Sequence, residues 1–301
     1  MLRNILLISS LLFSGIPSYS QAKEPPVTNT AWTQPYPAFR IAGNLYYVGT
    51  YDLGCYLITS SKGHILINTG TAASLKQIQS GIRDLGFKLK DIRILLTTQV
   101  HYDHVGAMAK LKLLTGAKML VNQKDSGVLA DGGRSDYELG KLGTSFHPVK
   151  PDGVLKDGDS IRLGDIKMVI LHHPGHTKGS ASYLLEVKDE NRNYRVLIAN
   201  MPTIISDRKF SDIHSYPGIA TDFAYTLKSM KGLQFDLWVA SHASQFGLHS
   251  KHKPGDAYDP QAFADRQGYD DELRELQESY DKKMNGRSGT AAYSPSTFSY
   301  L

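Results

Sequence analysis

Gln99-Val100-His101-Tyr102-Asp103-His104 stands directly behind the apolar run Ile92–Leu96, so its side chains leave the end of a predicted strand on a turn where they can converge. Two imidazoles and a carboxylate within four residues form a donor set that suits zinc. Farther along, His172-His173-Pro174-Gly175-His176-Thr177 follows the apolar run 166–171, and Ser241-His242-Ala243 follows the run 235–240. A single histidine is more often structural or simply exposed. Three histidine sites, each at the end of a predicted strand, point together to a metal centre.

Working outward, short apolar runs alternate with amphipathic stretches. Residues 45–48, 55–59 and 64–67 are separated by Gly43-Asn44, Asp52-Leu53-Gly54 and Ser61-Lys62-Gly63, which predicts a meander of strands. Leu75, Ile78, Ile82 and Leu85 recur at spacings of three and four before the stop at Gly86, which predicts a helix. A helix over 107–114 and a strand over 118–121 continue the alternation. Strands are then predicted at 160–163, 166–171, 181–187 and 195–199, a helix at 224–230 and a strand at 235–240. Tyr269, Leu273, Leu276 and Tyr280 mark one face of a last helix. The order strands, helix, strand, helix occurs loosely twice. It predicts an α/β fold with two packed sheets and helices outside, a four-layer αβ/βα sandwich. The glycine-rich stretch 130–151 reads as a long loop bordering the site. Gly132-Gly133 in it either flank the cleft or serve turn geometry alone.

The 301 residues suffice for a full core without disulfides. The formal charge of +5 comes from 34 basic residues scattered among 29 acidic ones, with no basic block. This argues against nucleic acid as a partner and leaves solubility, with mild attraction for anionic small molecules. Residues 1–20 read as a signal peptide: one basic residue in the first four, an apolar run over 5–13 broken by Ser9 and Ser10, and small Ser18 and Ser20 ahead of a cleavage site before Gln21. No run approaches the ~20 residues of a membrane span, and no lipid-attachment cysteine follows the signal, so free periplasm without a membrane anchor is expected. Cys55 is the single cysteine, and its apolar surroundings predict a packed, inert thiol. A zinc-binding domain is therefore expected over 21–284, followed by a disordered tail over 285–301 rich in Gly, Ser, Thr and Ala.

The histidine pattern resembles the metallo-β-lactamase superfamily, whose signature is His-x-His-x-Asp-His followed by two further histidines. The likeness runs from about Leu45 to His242. It implies that Gln99, His101 and His176 hold one zinc ion while Asp103, His104 and His242 hold a second. His172 and His173 match no ligand position and are left as supporting or structural. Because Gln99 offers a neutral amide oxygen in place of an imidazole, the first site is expected to bind metal less tightly. Behind the strand at 195–199, Asn200-Met201-Pro202 stands where thiol-ester hydrolases and lactonases of this fold place a bridging aspartate and other β-lactamases a cysteine. The sequence is instead similar to class B, subclass 3 β-lactamases, and most of all to the GOB-type members. These share the glutamine, the Ile67-Asn68-Thr69-Gly70 turn, the Tyr51-Asp52-Leu53 triplet and a methionine where relatives carry serine. Asn68 departs from the aspartate that most of the superfamily carries there.

The resemblance implies a zinc-dependent β-lactamase in which metal-bound hydroxide, formed because zinc lowers the pKa of its water to about 7, attacks the lactam carbonyl. Asp103 would orient that nucleophile, and Thr203 would bind the substrate's carboxylate. A small-molecule β-lactam substrate and a monomeric protein are expected. The alternatives are another hydrolase of this fold acting on a lactone or thioester, and a non-catalytic periplasmic zinc-binding protein.

Overall fold

The computed structural model describes residues 22–286. The predicted signal peptide, its cleavage site and the tail beyond residue 286 lie outside the described residues.

Seven strands form the first sheet in sequential order: β1 (Phe39–Ala42), β2 (Leu45–Tyr47), β3 (Tyr56–Ser60), β4 (Gly63–Ile67), β5 (Ile92–Leu96), β6 (Lys118–Asn122) and β7 (Gly153–Leu155). The first four run antiparallel, and β4 through β7 pair in parallel. The second sheet comprises β8 (Ser160–Leu163), β9 (Ile166–His172), β10 (Ala181–Lys188), β11 (Asn193–Ala199) and β12 (Leu237–Ala240), in the order β12-β11-β10-β9-β8. Only its β11–β12 pair is parallel.

Alternation along the strands decides which face meets which layer. In β3 and β4, Tyr56, Ile58, Ile65 and Ile67 point into the core between the sheets, where they join Ile170, Tyr183, Ile198 and Val239. Leu57 and Leu66 face the other way, onto α1 (Leu75–Asp84) and, after the single turn α2 (Tyr102–Val105), α3 (Met108–Thr115). Each fully buried Leu or Ile stabilises the fold by about 1.5–3 kcal/mol. The short α4 (Ser126–Asp131) and α6 (Leu248–Lys251) lie in connections, while α5 (Ile219–Lys231) and α7 (Arg266–Met284) pack on the second sheet through Leu227, Met230, Tyr269 and Leu273. The predicted four-layer arrangement is therefore what forms.

Several elements depart from the sequence expectation, among them the short α2, α4 and α6, which no sequence pattern marked. β1 and β7, of four and three residues, are too short to show a periodicity. The glycine-rich stretch opens with the last turn of α4, which Gly132 closes at φ 75°, a left-handed conformation that costs glycine little. Gly132 thus serves turn geometry, and the stretch reaches the cleft through Leu139 and Leu142.

Candidate metal centre

All the candidate donors lie behind strands that end at one rim of the sandwich. The two sheets are tied together there: the Ala181 N–H donates to Thr98 O at 2.8 Å, and the Tyr183 hydroxyl donates to Thr97 O at 2.8 Å. Behind β5 the chain turns through Gln99 and His101 into α2, which carries Asp103 and His104. His176 comes from the loop after β9, and His242 follows β12.

One donor atom from each of Asp103, His104 and His242 lies within 4.8 Å of the other two. Asp103 Oδ2 is 3.2 Å from His104 Nε2 and 3.5 Å from His242 Nε2. Next to this group, the His101 and His176 rings lie 5.0 Å apart between centroids. Gln99 Oε1 and both ring nitrogens of His104 are buried without a hydrogen-bond partner. Buried lone pairs left unmatched are costly, and a divalent cation satisfies them. The donor set of four imidazoles, one carboxylate and one amide oxygen fits zinc.

Carboxylates and a carbonyl behind the imidazoles decide which nitrogen each presents. The His242 Nδ1–H donates to Asp52 Oδ2 at 3.0 Å, leaving Nε2 toward Asp103. Asp52 is itself held by the Trp32 indole N–H at 3.1 Å and the Ser244 N–H at 2.9 Å. The His101 Nε2–H points at Asp136 Oδ2, 3.4 Å away, and the His176 Nδ1–H donates to Thr203 O at 2.8 Å. Burial opposes the imidazolium form of His242, but hydrogen bonds and charges from Asp103 and Asp52 outweigh it and hold the group up at about 10. Burial and the neighbouring His101 push His176 down to about 3. Burial likewise works against the Asp136 carboxylate, but His101 and two backbone N–H groups bring it down to about 2.

The loop bearing His176 is anchored by Asp125, which accepts the Thr177 hydroxyl at 2.6 Å and the Gly179 N–H at 2.7 Å. Asn68, at φ 61°, accepts the Thr98 N–H at 2.9 Å and the Thr97 hydroxyl at 3.1 Å, while its amide donates to Gly54 O at 3.1 Å. A carboxylate could not make that last bond. The asparagine, unusual for its position, thus matches its surroundings here. His173 is buried, with Nδ1 2.7 Å from Ser182 Oγ, and His172 Nε2–H donates to Lys178 O at 2.9 Å. Both are structural, and Cys55 is buried with its thiol pushed far up by burial.

Five of the six predicted donors therefore line one cleft of about 400 Å³, His104 lies fully buried behind Asp103, and Thr203 stands on the cleft wall. Leu142, Ile204 and Ile205 give that wall an apolar stretch. Sequence reasoning missed Trp32, whose ring centroid lies 5.7 Å from that of His242, and Asp136, an acid in a loop with no local pattern around it. Asp52 was visible only as the middle of a triplet. Asn200 was noted for what it is not, although it too lines the cleft.

An αβ/βα sandwich with two groups of metal donors gathered at one rim defines the metallo-β-lactamase class of proteins. The family model described as the metallo-beta-lactamase superfamily matches residues 55–189. The metallo-beta-lactamase GOB-18 from Elizabethkingia meningoseptica is 57% identical, with a TM-score of 0.88 over 89% of this chain and 100% of that one. The class B3 di-zinc metallo-beta-lactamase LRA-12 from an Alaskan soil metagenome is 61% identical, with a TM-score of 0.86 over 88% of this chain and all of that one. Among curated sequences, an uncharacterized protein of Aquifex aeolicus (strain VF5) is 33% identical over 155 residues, 50% of this chain and 66% of its own length. The chain thus spans just under two thirds of that relative, and it belongs to the metallo-β-lactamase superfamily as a GOB-like member of class B3.

Proposed function

We propose that this protein is a zinc-dependent β-lactamase that opens the cyclic amide of β-lactam antibiotics. The observation that carries the reading is the buried Asp103–His104–His242 group beside the unmatched Gln99 oxygen, both opening on one cleft. Gln99, His101 and His176 would hold one zinc ion, and Asp103, His104 and His242 a second. Bound zinc supplies a Lewis acid and an acidified water. Asp52, Asp136 and the Thr203 carbonyl keep the three imidazoles turned toward the cleft. Asp103, buried and held well below the ordinary carboxylate range by His104 and His242 against the cost of burial, stays an acceptor and orients the attacking water. Thr203, half-buried on the cleft wall with its hydroxyl 2.9 Å from His176 Nδ1, would bind the substrate's carboxylate at the cleft edge. Trp32, Ile204 and Ile205, which line the cleft, would receive the substrate's apolar substituents.

The character of residues 1–20 supports export to the periplasm, and no helix among the described residues is long and apolar enough to cross a membrane. We take the active form to be a monomer with up to two zinc ions.

Hydrolysis of a chromogenic cephalosporin, with and without a chelator, tests the reading. Turnover that disappears on chelation and returns with zinc is the expected result. Zinc binding without turnover would leave a binding protein, and turnover of thioesters or lactones alone would make it a different hydrolase.

A further inference from the structure

Beneath the two donor groups, four polar side chains, each just behind a strand, form one buried chain of hydrogen bonds. It runs from Asn68 after β4, through Thr98 after β5 and Ser241 after β12, to Asn200 after β11. The Thr98 hydroxyl oxygen lies 3.2 Å from Asn68 Oδ1 and 2.8 Å from Ser241 Oγ, and the Ser241 hydroxyl donates to Asn200 Oδ1 at 3.2 Å. Asn200 is further fixed by its backbone N–H, which donates to Ser182 Oγ at 2.9 Å. Its residue is 1% exposed, yet it lines the cleft. With Oδ1 turned to Ser241, its Nδ2 amide is buried without an acceptor among the described residues. Orphaned buried donors are rare in folded proteins, and one that borders a reaction cleft calls for an acceptor brought in from outside.

Resting on the β-lactamase reading, we propose that Asn200 Nδ2–H donates a hydrogen bond to the carbonyl oxygen of the scissile amide as that oxygen gains negative charge. The proton stays on Asn200; the contribution is electrostatic. Two features suit the amide to this role. Its position is set before substrate arrives, by Ser241 on one side and Ser182 on the other, so no reorganisation accompanies the reaction. It is also buried where Thr203 is partly exposed, and Ser241, which fixes it, is the chain neighbour of His242. A donor on the floor meets the reacting bond, whereas a partly exposed one meets a substituent at the substrate's edge.

The test uses zinc-loaded protein and three variants. Asn200→Leu removes the donor at similar size, Asn200→Asp keeps the acceptor toward Ser241 and replaces the donor with an oxygen, and Asn200→Ser retains a shorter donor. With a chromogenic cephalosporin, kcat is expected to fall on the order of a hundredfold in the first two, with KM little changed and zinc content equal to the parent's. The serine variant should lose less, and should it alone fold, an intermediate loss with zinc retained supports the proposal. Unaltered kcat in any folded variant that lacks the donor overturns it, as does a loss of activity that only tracks a loss of zinc. A parent protein that does not hydrolyse the cephalosporin defeats the β-lactamase reading instead, whereas an active parent with an equally active Asn200→Leu variant defeats this inference alone.

Discussion

Gln99 stands at the metal centre with an amide oxygen that no group among the described residues satisfies. A neutral amide is a poorer partner for zinc than an imidazole, so the Gln99–His101–His176 group is expected to lose metal first when a chelator is titrated in. Gln99→His should close that gap; metal titration showing the native first group to be the tighter one, or no gain in the variant, would refute it. Asp103→Ala removes both a donor and the acceptor that aligns the attacking water, and kcat should drop about a hundredfold or more. Near-native turnover would dismiss the role given to Asp103. His173 makes a prediction about pH. Burial pushes its imidazole down to about 4, so below the ordinary value of 6.5 the unfolded chain takes up a proton that the native one refuses. Stability is therefore lost as pH falls from 6.5 toward 4, on the order of 3 kcal/mol for this group. Denaturation of zinc-free protein at pH 7 and pH 4 should show a smaller drop in His173→Gln than in the parent; equal drops would exclude the residue as the source.

At the level of elements, strands such as β3 and β4 were legible as short apolar runs closed off by turn residues, because both of their faces are buried between layers. The donors of the site were legible for another reason: a donor must sit behind a strand end to reach the rim, so strand ends and histidines coincide in the sequence. What supports those donors was not legible. Asp136 meets His101 across 35 residues, and nothing local distinguishes it from any loop acid. The loop after β9 shows how narrow the tolerance is. Gly175 adopts φ 130°, and a Cβ there would lie 2.8 Å from the ring of Phe223 on α5. Gly175→Ala must displace either that helix or the loop that presents His176, at a cost of about 1–3 kcal/mol. The expected outcome is a lower denaturation midpoint together with reduced zinc content; a variant with both unchanged would show that the loop can absorb the extra carbon.

For the whole molecule, the centre joins residues from both sheets, so metal that binds only the folded state stabilises the sandwich as a unit. At a zinc concentration about 1,000 times the dissociation constant, this is worth roughly 4 kcal/mol. Stripped protein should therefore unfold at a lower temperature, with the midpoint rising as zinc is returned; a midpoint indifferent to zinc would mean the site is not held by native geometry. The bond between Asp52 and His242 spans 190 residues, and it has a consequence for the order in which the protein comes into being. A growing chain has Gln99, His101, Asp103 and His104 early, gains His176 when the second sheet is half made, and receives His242 only after β12 has joined that sheet. Trp32, made long before His242, waits until then for the ring it will lie against. Completion of the centre thus waits for β12, and a chain that stops short of it lacks His242 and with it the partner that Asp52 holds.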